Sequence, residues 1–572
     1  MNKRIKAIHE AGTGAAQPAM RTVAEPHGWE VRTARLDPRA YGITLDDSEL
    51  SLADMAWRRA RATPDAVAFE FEDGSKATFG DLVEEAEALS CGLQELGLST
   101  GDTISFQLPN WRESVVINIA AAALGLVINP ITPIYRGAEL RHILADSRAR
   151  LIFIPETYRS FNYVNLLTAL AAEARAPIRV VVVRGAGAGA LSYAELVRLG
   201  RGRSLRLPLA RPDAIKMLMY TSGTTGLAKG VLHTHRSAAY ATWIRSRLGP
   251  STGRDVMFMP SPVTHATGYL IGLELPFRTG FSVALMDQWK PQMALEMITR
   301  CQVTHAAGAT IFLRELLDEA ERTKNRMPTL RVFGCGGAAV PLELIQRTTT
   351  ATEQCVAYRS YGSTETPAVA GYAEDADLKS RSETDGRISG YDVRVVDTAG
   401  EIVPAGDAGQ EGELLIRGPA MFVGYTDPEA SAAAFDTDGY FRTGDLGVVT
   451  PRREIIVTGR RKDLIIRGGE NLSPLEIEEA LHRHPAVQEA AVVSMPHVRL
   501  GESVCAFLLV RDDAVPPSLI EIVEFLDEIG LARQKFPERI EIVASFPRTS
   551  LGKVRKDKLR EAVRARPVVM YD

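Results

Sequence analysis

Hydrophobic and polar positions follow two different periods along most of this chain. Residues 79–97 (FGDLVEEAEALSCGLQELG) repeat apolar side chains every three or four positions, the pattern of a helix with one buried face. Short apolar runs such as residues 103–108 (TISFQL), 149–155 (ARLIFIP) and 178–183 (IRVVVV) separate such segments and are typical of buried strands. Because helices and strands alternate repeatedly, the sequence predicts α/β layers with largely parallel sheets.

The pattern changes in the last third of the chain. From about residue 388, glycines separate short β segments, as in residues 390–397 (GYDVRVVD) and 411–418 (EGELLIRG). After residue 463, a compact series of helix, strand, strand, helix and strand reaches the end. The fold class we expect is therefore α/β: a large N-terminal domain of layered α/β subdomains with a β-barrel-like subdomain, and a small α+β C-terminal domain. The domain bounds we expect are an N-terminal extension at 1–50, the large domain at 51–459, a hinge at 460–463 and the C-terminal domain at 464–572.

The most apolar stretch, residues 115–131 (VVINIAAAALGLVINPI), is interrupted by Asn118 and Asn129 and ends beside Pro130. It is too short to cross a bilayer and predicts a buried helix, so we expect no membrane span. Residues 1–20 carry no apolar run of signal-peptide length, which leads us to expect a cytoplasmic protein.

The length, net charge and cysteine spacing of the chain limit which kinds of partner and metal site are expected. The chain has 572 residues, too many for one compact core, and its net charge of −4 provides no general attraction for nucleic acid. Its five cysteines contain no C-x-x-C pair, so a disulfide framework or a zinc site is not expected. We expect small-molecule partners, no nucleic acid, and a monomer or homodimer.

Residues 220–230 (YTSGTTGLAKG) combine three glycines, four serine or threonine hydroxyls and one lysine. Such a loop between a strand and a helix-like stretch offers backbone N–H groups and a cation to a phosphate chain. The spacing differs from a P-loop, because Gly230 follows Lys229 where a P-loop has a hydroxyl residue. A flexible surface turn is the alternative interpretation.

Four further segments follow this loop: residues 361–366 (YGSTET), 439–447 (GYFRTGDLG), 459–478 (GRRKDLIIRGGENLSPLEIE) and 547–560 (PRTSLGKVRKDKLR). In this order and at these spacings they resemble the acyl-adenylate-forming (AMP-binding) enzymes, which include acyl-CoA synthetases, aryl-CoA ligases, luciferases and nonribosomal adenylation domains. The resemblance covers nearly the whole chain. It implies an acid–thiol ligase that uses ATP, Mg²⁺ and coenzyme A, and a C-terminal domain that is mobile.

The resemblance implies roles for individual residues around ATP. Thr364 contacts the α-phosphate, Glu365 helps to hold Mg²⁺, Asp445 accepts from both ribose hydroxyls, and Tyr361 lies against adenine. The residues assigned to ATP or AMP are Thr221, Ser222, Gly223, Thr224, Thr225, Gly226, Lys229, Gly337, Ala338, Ala339, Tyr361, Asp445 and Arg460. Without the resemblance, Glu365 is interpreted as a helix-capping residue and Asp445 as a turn former.

The resemblance also assigns roles to the C-terminal segments. Lys553 bridges the substrate carboxylate and the α-phosphate, although a solvated basic face is the ordinary interpretation of so basic a tail. Lys462, which follows Gly459-Arg-Arg, is the pivot about which the C-terminal domain rotates between two half-reactions. Gly468 and Gly469 line the tunnel for the pantetheine arm of CoA.

Residues 260–270 (PSPVTHATGYL) bear on the identity of the substrate acid. They lack the aspartate with which amino-acid-activating relatives bind an α-ammonium, so the acid is expected to have no free amine. This segment most resembles medium-chain acyl-CoA and cyclohexanecarboxylate–CoA ligases, and His265 is either catalytic or a neutral core histidine. The acyl pocket is assigned to His265, Gly268, Gly308, Gly334, Cys335 and Gly336, whose small side chains suggest room for a bulky alicyclic or branched acid.

The leading hypothesis is activation of a medium-chain, alicyclic or bulky apolar acid to acyl-AMP, with release of pyrophosphate, followed by thioester formation with CoA. One alternative is an acyl-AMP ligase that passes the acyl group to a carrier protein or partner enzyme. A second is a catalytically silent nucleotide-binding homologue, and a third is a luciferase-type oxygenase.

Overall fold

The computed structural model describes most of the chain. The described residues are 21–24, 29–33, 36–46, 49–173, 177–185, 190–203, 205, 211–221, 228–247, 249, 254–403, 410–467, 470–549 and 552–564.

The first of two large sheets in the N-terminal domain has eight strands. The first six, counted across the sheet, run parallel to one another. In order across the sheet the eight strands are Leu191–Ser192, Arg179–Val183, Ala149–Pro155, Thr103–Phe106, Val127–Pro130, Ile215–Thr221, Lys229–Thr234 and Gly424–Tyr425. The last two strands are antiparallel to their neighbours. The glycine-rich segment therefore connects two antiparallel strands of one hairpin.

The second large sheet has seven strands, of which the first six are parallel. Their order is Val356–Ser360, Val332–Gly336, His305–Gly308, Val256–Met259, Ser282–Leu285, Val67–Phe71 and Lys76–Thr78. One large hydrophobic cluster includes residues of both sheets, among them Phe69, Phe106 and Met259. This cluster is the core of the N-terminal domain.

Helices connect and cover these strands. The α-helices of the large domain are Leu52–Ala62, Phe79–Glu95, Arg112–Leu124, Gly137–Asp146, Tyr163–Glu173, Tyr193–Gly200, His235–Arg245, Leu275–Thr279, Pro291–Arg300, Thr310–Thr323, Leu342–Ala351, Leu378–Glu383 and Pro428–Ala434. A 3-10 turn spans Pro38–Tyr41, and a π-helix spans Gly268–Glu274.

The predicted β-rich segment forms a five-stranded antiparallel sheet. Its strands, in order, are Ile402–Val403, Asp392–Val396, Gly412–Arg417, Phe441–Val449 and Ile455–Arg460. Three two-stranded ribbons pair Arg21–Ala24 with Glu30–Thr33, Thr157–Tyr158 with Phe161–Asn162, and Ala370–Gly371 with Arg387–Ile388.

The C-terminal domain begins after the 3-10 turn Arg461–Asp463 and has its own hydrophobic core. Its five-stranded sheet contains Glu470–Leu472, Ile465–Arg467, Gly501–Val510, Val487–His497 and Arg539–Ile542. The helices beside it are Pro474–Leu481, Leu519–Glu528 and Lys556–Arg564, with a 3-10 turn at Arg533–Lys535.

The apolar run at 115–131 divides into two elements rather than one helix. Helix Arg112–Leu124 is buried from residue 114 onward and ends at Gly125, whose φ of 63° is left-handed, and strand Val127–Pro130 follows. Glycine adopts such a φ without the steric cost that a Cβ brings. No helix of the described residues is long and apolar enough to cross a membrane.

Part of the predicted N-terminal extension is built into the large domain. Trp29 is 2% exposed and packs against Val127 and Leu232, and Ile43 and Leu50 are buried in the main core. Isolated apolar residues can anchor a segment whose periodicity is weak, so sequence periodicity did not reveal this contact.

Candidate active site

The phosphate loop extends from the end of one strand to the start of the next. Thr221 and Lys229 are register partners in the hairpin, and Lys229 Nζ lies 5.4 Å from the centre of the Tyr425 ring. The residues predicted between them, Ser222, Gly223, Thr224, Thr225 and Gly226, lie outside the described residues.

Three predicted nucleotide residues from distant parts of the chain meet at Asp445. The Tyr361 hydroxyl donates to Asp445 Oδ2 at 2.7 Å, and Arg460 Nε lies 2.7 Å from Asp445 Oδ1. Asp445 and Arg460 are register partners on adjacent antiparallel strands, which explains the pair. The Asp445 carboxylate raises the pKa of Arg460, so the guanidinium stays charged in this site.

The residues predicted to face adenine lie in a turn. Gly337, Ala338 and Ala339 are exposed directly after strand Val332–Gly336, and Gly337 has a φ of +82°. Because a Cβ built on Gly337 meets no atom within 4 Å, the space beside this backbone is open to a flat ligand.

Thr364 and Glu365 are held by residues that the motifs did not indicate. His233 Nε2 donates to the Thr364 carbonyl at 2.8 Å, and the Tyr425 hydroxyl donates to Glu365 Oε1 at 2.9 Å. Burial lowers the pKa of His233 to about 4, so this ring is neutral at physiological pH. A polar residue in the apolar strand Lys229–Thr234 was a sequence signal for His233, whereas nothing near Tyr425 in the sequence indicated its role.

Lys553 lies at the tip of a turn that reaches the large domain. Thr549 N donates to the Lys553 carbonyl at 2.8 Å, and a Cβ built on Gly552 would lie 2.9 Å from Ile311 Cγ2 in helix Thr310–Thr323. Burial and then the charge of Arg460 lower the Lys553 pKa to about 8, while Asp445 and Glu365 act in the opposite direction. The turn therefore brings the lysine within electrostatic range of the nucleotide residues.

His265 lies near the same lysine. Burial, and then the Lys553 charge, lower the His265 pKa to about 4, so the ring is neutral at physiological pH. The catalytic and the core interpretations of His265 both stay predictions.

The predicted acyl-pocket glycines have protein atoms close beside them. A Cβ on Gly268 would lie 2.1 Å from the Pro262 carbonyl oxygen, one on Gly308 2.9 Å from Phe312, one on Gly334 2.7 Å from the Tyr358 hydroxyl, and one on Gly336 2.5 Å from Ser360. These residues are small because neighbouring atoms approach closely. Their size is therefore not evidence of room for a bulky acid.

Cys335 departs further from its predicted place. Side chains alternate along strand Val332–Gly336, and Cys335 points into a hydrophobic cluster with Phe258 and Leu313, fully buried. Burial raises its pKa to about 12. The assignment of Cys335 to the acyl pocket is therefore corrected: it is a core residue.

The predicted hinge residue Lys462 lies at the domain boundary. Lys462 is exposed within the turn Arg461–Asp463. Gly468 and Gly469 lie outside the described residues. A cavity of about 670 Å³ separates the domains near this turn and is lined by residues of both, including Arg359, Glu479 and His482. The domain interface is thus incompletely packed.

Family models match both domains. The model of the AMP-binding enzyme matches residues 56–426, and that of the AMP-binding enzyme C-terminal domain matches residues 476–553. The chain belongs to the AMP-binding enzyme family. The resemblance and the α/β fold class inferred from the sequence are confirmed, as is its class as an acid–thiol ligase of the acyl-CoA synthetase type.

Individual relatives differ in activity. A medium-chain fatty-acid–CoA ligase of Escherichia coli is 34% identical over 91% of this chain and 91% of its own length. A 2,3-dihydroxybenzoate-AMP ligase of Bacillus subtilis is 32% identical over 85% of this chain and 89% of its own length. The crystal structure of ATP-bound MatB from Rhodopseudomonas palustris matches with a TM-score of 0.80 and 27% identity, covering 90% of this chain and 98% of that one. The family therefore establishes acyl-adenylate-forming chemistry, with ATP and CoA as small-molecule substrates, and leaves the acid open.

Proposed function

We propose that this chain activates a medium-chain or alicyclic carboxylic acid as its acyl-adenylate and then transfers the acyl group to CoA. In the first step a carboxylate oxygen attacks the α-phosphorus of ATP, and the bond to the β-phosphate breaks to release pyrophosphate. In the second step the thiol sulfur of CoA attacks the acyl carbon, and AMP leaves. The observation that carries the proposal is the Lys553 turn, which packs on Ile311 of the large domain and lies within electrostatic range of Asp445, Glu365 and Arg460.

The first step brings two anions together. Two unit charges about 4 Å apart repel by roughly 4 kcal/mol at an effective dielectric constant near 20. The Lys553 ammonium, held over the nucleotide site by the turn that packs on Ile311, offsets this repulsion. The role of Lys229 is to neutralise the β- and γ-phosphates.

The remaining residues orient ATP. Asp445 accepts from the ribose hydroxyls, with Arg460 and Tyr361 fixing its carboxylate, and Thr364 contacts the α-phosphate. The donor set fits Mg²⁺, because this ion is usually bound by one or two carboxylates together with substrate phosphates. Glu365 is the residue that would hold it, and the ion would supply further charge neutralisation on the phosphates.

The second step needs a different domain arrangement. We infer that rotation about Lys462 withdraws the Lys553 turn and presents Gly468 and Gly469 to the CoA arm. The cavity between the domains supports this, since an interface with such a gap gives up little packing when it opens.

The medium-chain assignment rests on the Escherichia coli relative. Apolar pocket walls separate acids that differ by one methylene by only about 1–3 kcal/mol, so several related acids should react. The Bacillus subtilis relative is called an AMP ligase, which keeps a carrier protein as the alternative acyl acceptor.

A panel of carboxylic acids with ATP and Mg²⁺, monitored by pyrophosphate release, tests the proposal. We expect release with apolar acids of medium length and, after CoA is added, an acyl-CoA detected by mass spectrometry. A parallel reaction with a phosphopantetheinylated carrier protein distinguishes the alternative. Nucleotide binding without pyrophosphate release for every acid would contradict the proposal.

A further inference from the structure

A small cavity of about 20 Å³ lies beside the seven-stranded sheet, deeper than the predicted acyl-pocket glycines. It is lined by Arg245, Met257, Ile271, Leu275, His305, Ala306, Ala307, Val332 and Tyr358. Most of these side chains are apolar, but one is a cation, which is unusual for a site meant only for an alkyl chain.

Arg245 ends helix His235–Arg245 and reaches this cavity. Its Nε atom is buried and has no hydrogen-bond partner, and no carboxylate of the described residues forms an ion pair with it. Burial lowers its pKa, and the nearby phenol groups of Tyr358 and Tyr391, both neutral at physiological pH, oppose that shift only weakly. A buried guanidinium without a hydrogen-bonding partner is costly, so an oxygen acceptor placed beside it is strongly favoured.

The acidic residue on the neighbouring strand does not serve Arg245. Asp255 pairs with Arg331, and its Oδ1 lies 3.7 Å from His305 Nδ1. The opposite nitrogen of this ring, Nε2, lies 3.5 Å from the position of a Cβ built on Gly249. The carboxylate is thus already engaged by Arg331 and lies beside His305.

The cavity and the predicted acyl site share structural elements. Tyr358 carries the hydroxyl that lies beside Gly334, and Ile271 belongs to the π-helix that begins at Gly268. His305 precedes Gly308 by three residues on one strand, which corresponds to about 10 Å along the sheet. Arg245 thus lies on elements shared with the predicted acyl site, which makes its side chain a candidate contact for the end of an acid whose carboxyl group lies near His265.

We propose that Arg245 determines specificity by binding an oxygen-bearing group, a carboxylate or a ketone, at the end of the acid opposite the activated carboxyl. The inference rests on the proposed function and narrows its substrate class to acids with an apolar middle and an oxygenated end. The cavity has room for about one water-sized group, so that end is small.

Matched acids test the proposal. Methyl-terminated, ω-carboxy and methyl-ketone acids of equal length, from six to ten carbons, are compared by kcat/KM for pyrophosphate release. For at least one chain length we expect the wild-type kcat/KM to be at least tenfold higher for an oxygenated acid than for the methyl-terminated acid of the same length. The Arg245→Met variant should lose that preference while it still activates the methyl-terminated acid.

Control variants separate recognition from folding. Arg247→Met removes an exposed cation that stacks on Trp243 on the same stretch of chain and should leave the preference unchanged. Arg245→Lys keeps a cation and should retain part of the preference for the oxygenated acid. If Arg245→Met does not fold, this second variant still tests the proposal.

The ω-carboxy and methyl-ketone acids identify the group that Arg245 binds. A preference for the ω-carboxy acid indicates a carboxylate, and a preference for the ketone indicates a neutral acceptor. A wild-type preference for methyl-terminated acids at every length, or an equal preference in Arg245→Met, would overturn the inference and leave the proposed function intact. Absence of pyrophosphate release with all acids would overturn both.

Discussion

Lys553 shows how position gives an ordinary residue type a special property. The side chain lies among two cations, Arg460 and Lys462, and two carboxylates, Asp445 and Glu365, and partial burial adds a desolvation penalty. The penalty and the cations prevail over the carboxylates, and the pKa falls from the ordinary 10.5 to about 8. The protonated fraction, which carries the charge needed for adenylation, thus varies within an accessible pH range.

We predict that kcat/KM for adenylation falls as pH rises through about 8, because the ammonium of the free enzyme is lost there rather than near 10.5. The kcat limb should lie at higher pH, since bound phosphates stabilise the ammonium. Both are measured by pyrophosphate release across pH in the absence of CoA.

Two substitutions of Lys553 serve as controls for the pH dependence of adenylation. Lys553→Ala should reduce the adenylation rate about a hundredfold or more, the usual cost of losing a positioned donor. Lys553→Arg keeps a charge that does not titrate in this range and should remove the alkaline limb. Adenylation by Lys553→Ala at the wild-type rate would contradict the assigned role.

The π-helix Gly268–Glu274 is the element that places His265. Its first residue packs against the Pro262 carbonyl, and its last, Glu274, pairs with Lys216 of strand Ile215–Thr221. Both side chains of this pair are almost completely buried, so removal of either partner leaves an uncompensated charge. The helix is therefore fixed at both ends, and π-helical turns often occur at functional sites.

Gly268→Ala should displace this helix, because its Cβ would lie 2.1 Å from a backbone oxygen that cannot rotate away. We expect kcat/KM for the acid to fall by about tenfold or more, as a small misplacement of reacting groups is costly. The measurement is pyrophosphate release together with the melting temperature.

Gly272→Ala is the matched control in the same helix. Its Cβ would come closest to the Met259 Cγ, at 3.0 Å, with Leu285 Cδ1 at an ordinary 3.7 Å, and a methionine side chain can adjust. Equal losses of kcat/KM in the two variants would show that the Pro262 contact does not position the site.

At the scale of the whole molecule, described residues of the C-terminal domain contact the large domain at separate places. Arg314 Nη1 donates to the Gln488 carbonyl at 3.2 Å, and the Lys553 turn packs on Ile311. The 670 Å³ cavity occupies another part of this interface. Since domain interfaces of this kind permit relative motion, we propose the turn Arg461–Asp463 as the pivot.

We predict that Lys462→Pro spares adenylation and reduces thioester formation, because proline fixes φ at the pivot and restricts the residue before it. The two half-reactions are measured separately, as pyrophosphate release without CoA and as thioester formation from preformed acyl-AMP.

Lys462→Ala keeps backbone freedom at an exposed position and should change either rate by no more than about twofold. Equal loss of both half-reactions in Lys462→Pro would refute the pivot assignment.

The sequence alone predicted the secondary-structure pattern and the fold class of this protein. Helix and strand periods indicate which face of each element is buried, and the α/β class followed from them. Motifs such as residues 361–366 and 547–560 carry hydroxyls, carboxylates and a lysine, and the resemblance of these motifs to the acyl-adenylate-forming enzymes supplied their candidate roles.

Contacts between distant segments could not be read in the same way. The Tyr425 hydroxyl on Glu365, the Arg245 side chain at the small cavity and the burial of Trp29 each join residues far apart in the chain. The pocket glycines were misjudged for the same reason, since a glycine looks alike whether a ligand or a protein atom lies beside it. Sequence determined which groups are present and which faces are buried. Only the tertiary structure decided what each group meets, because close packing depends on the simultaneous positions of all the elements.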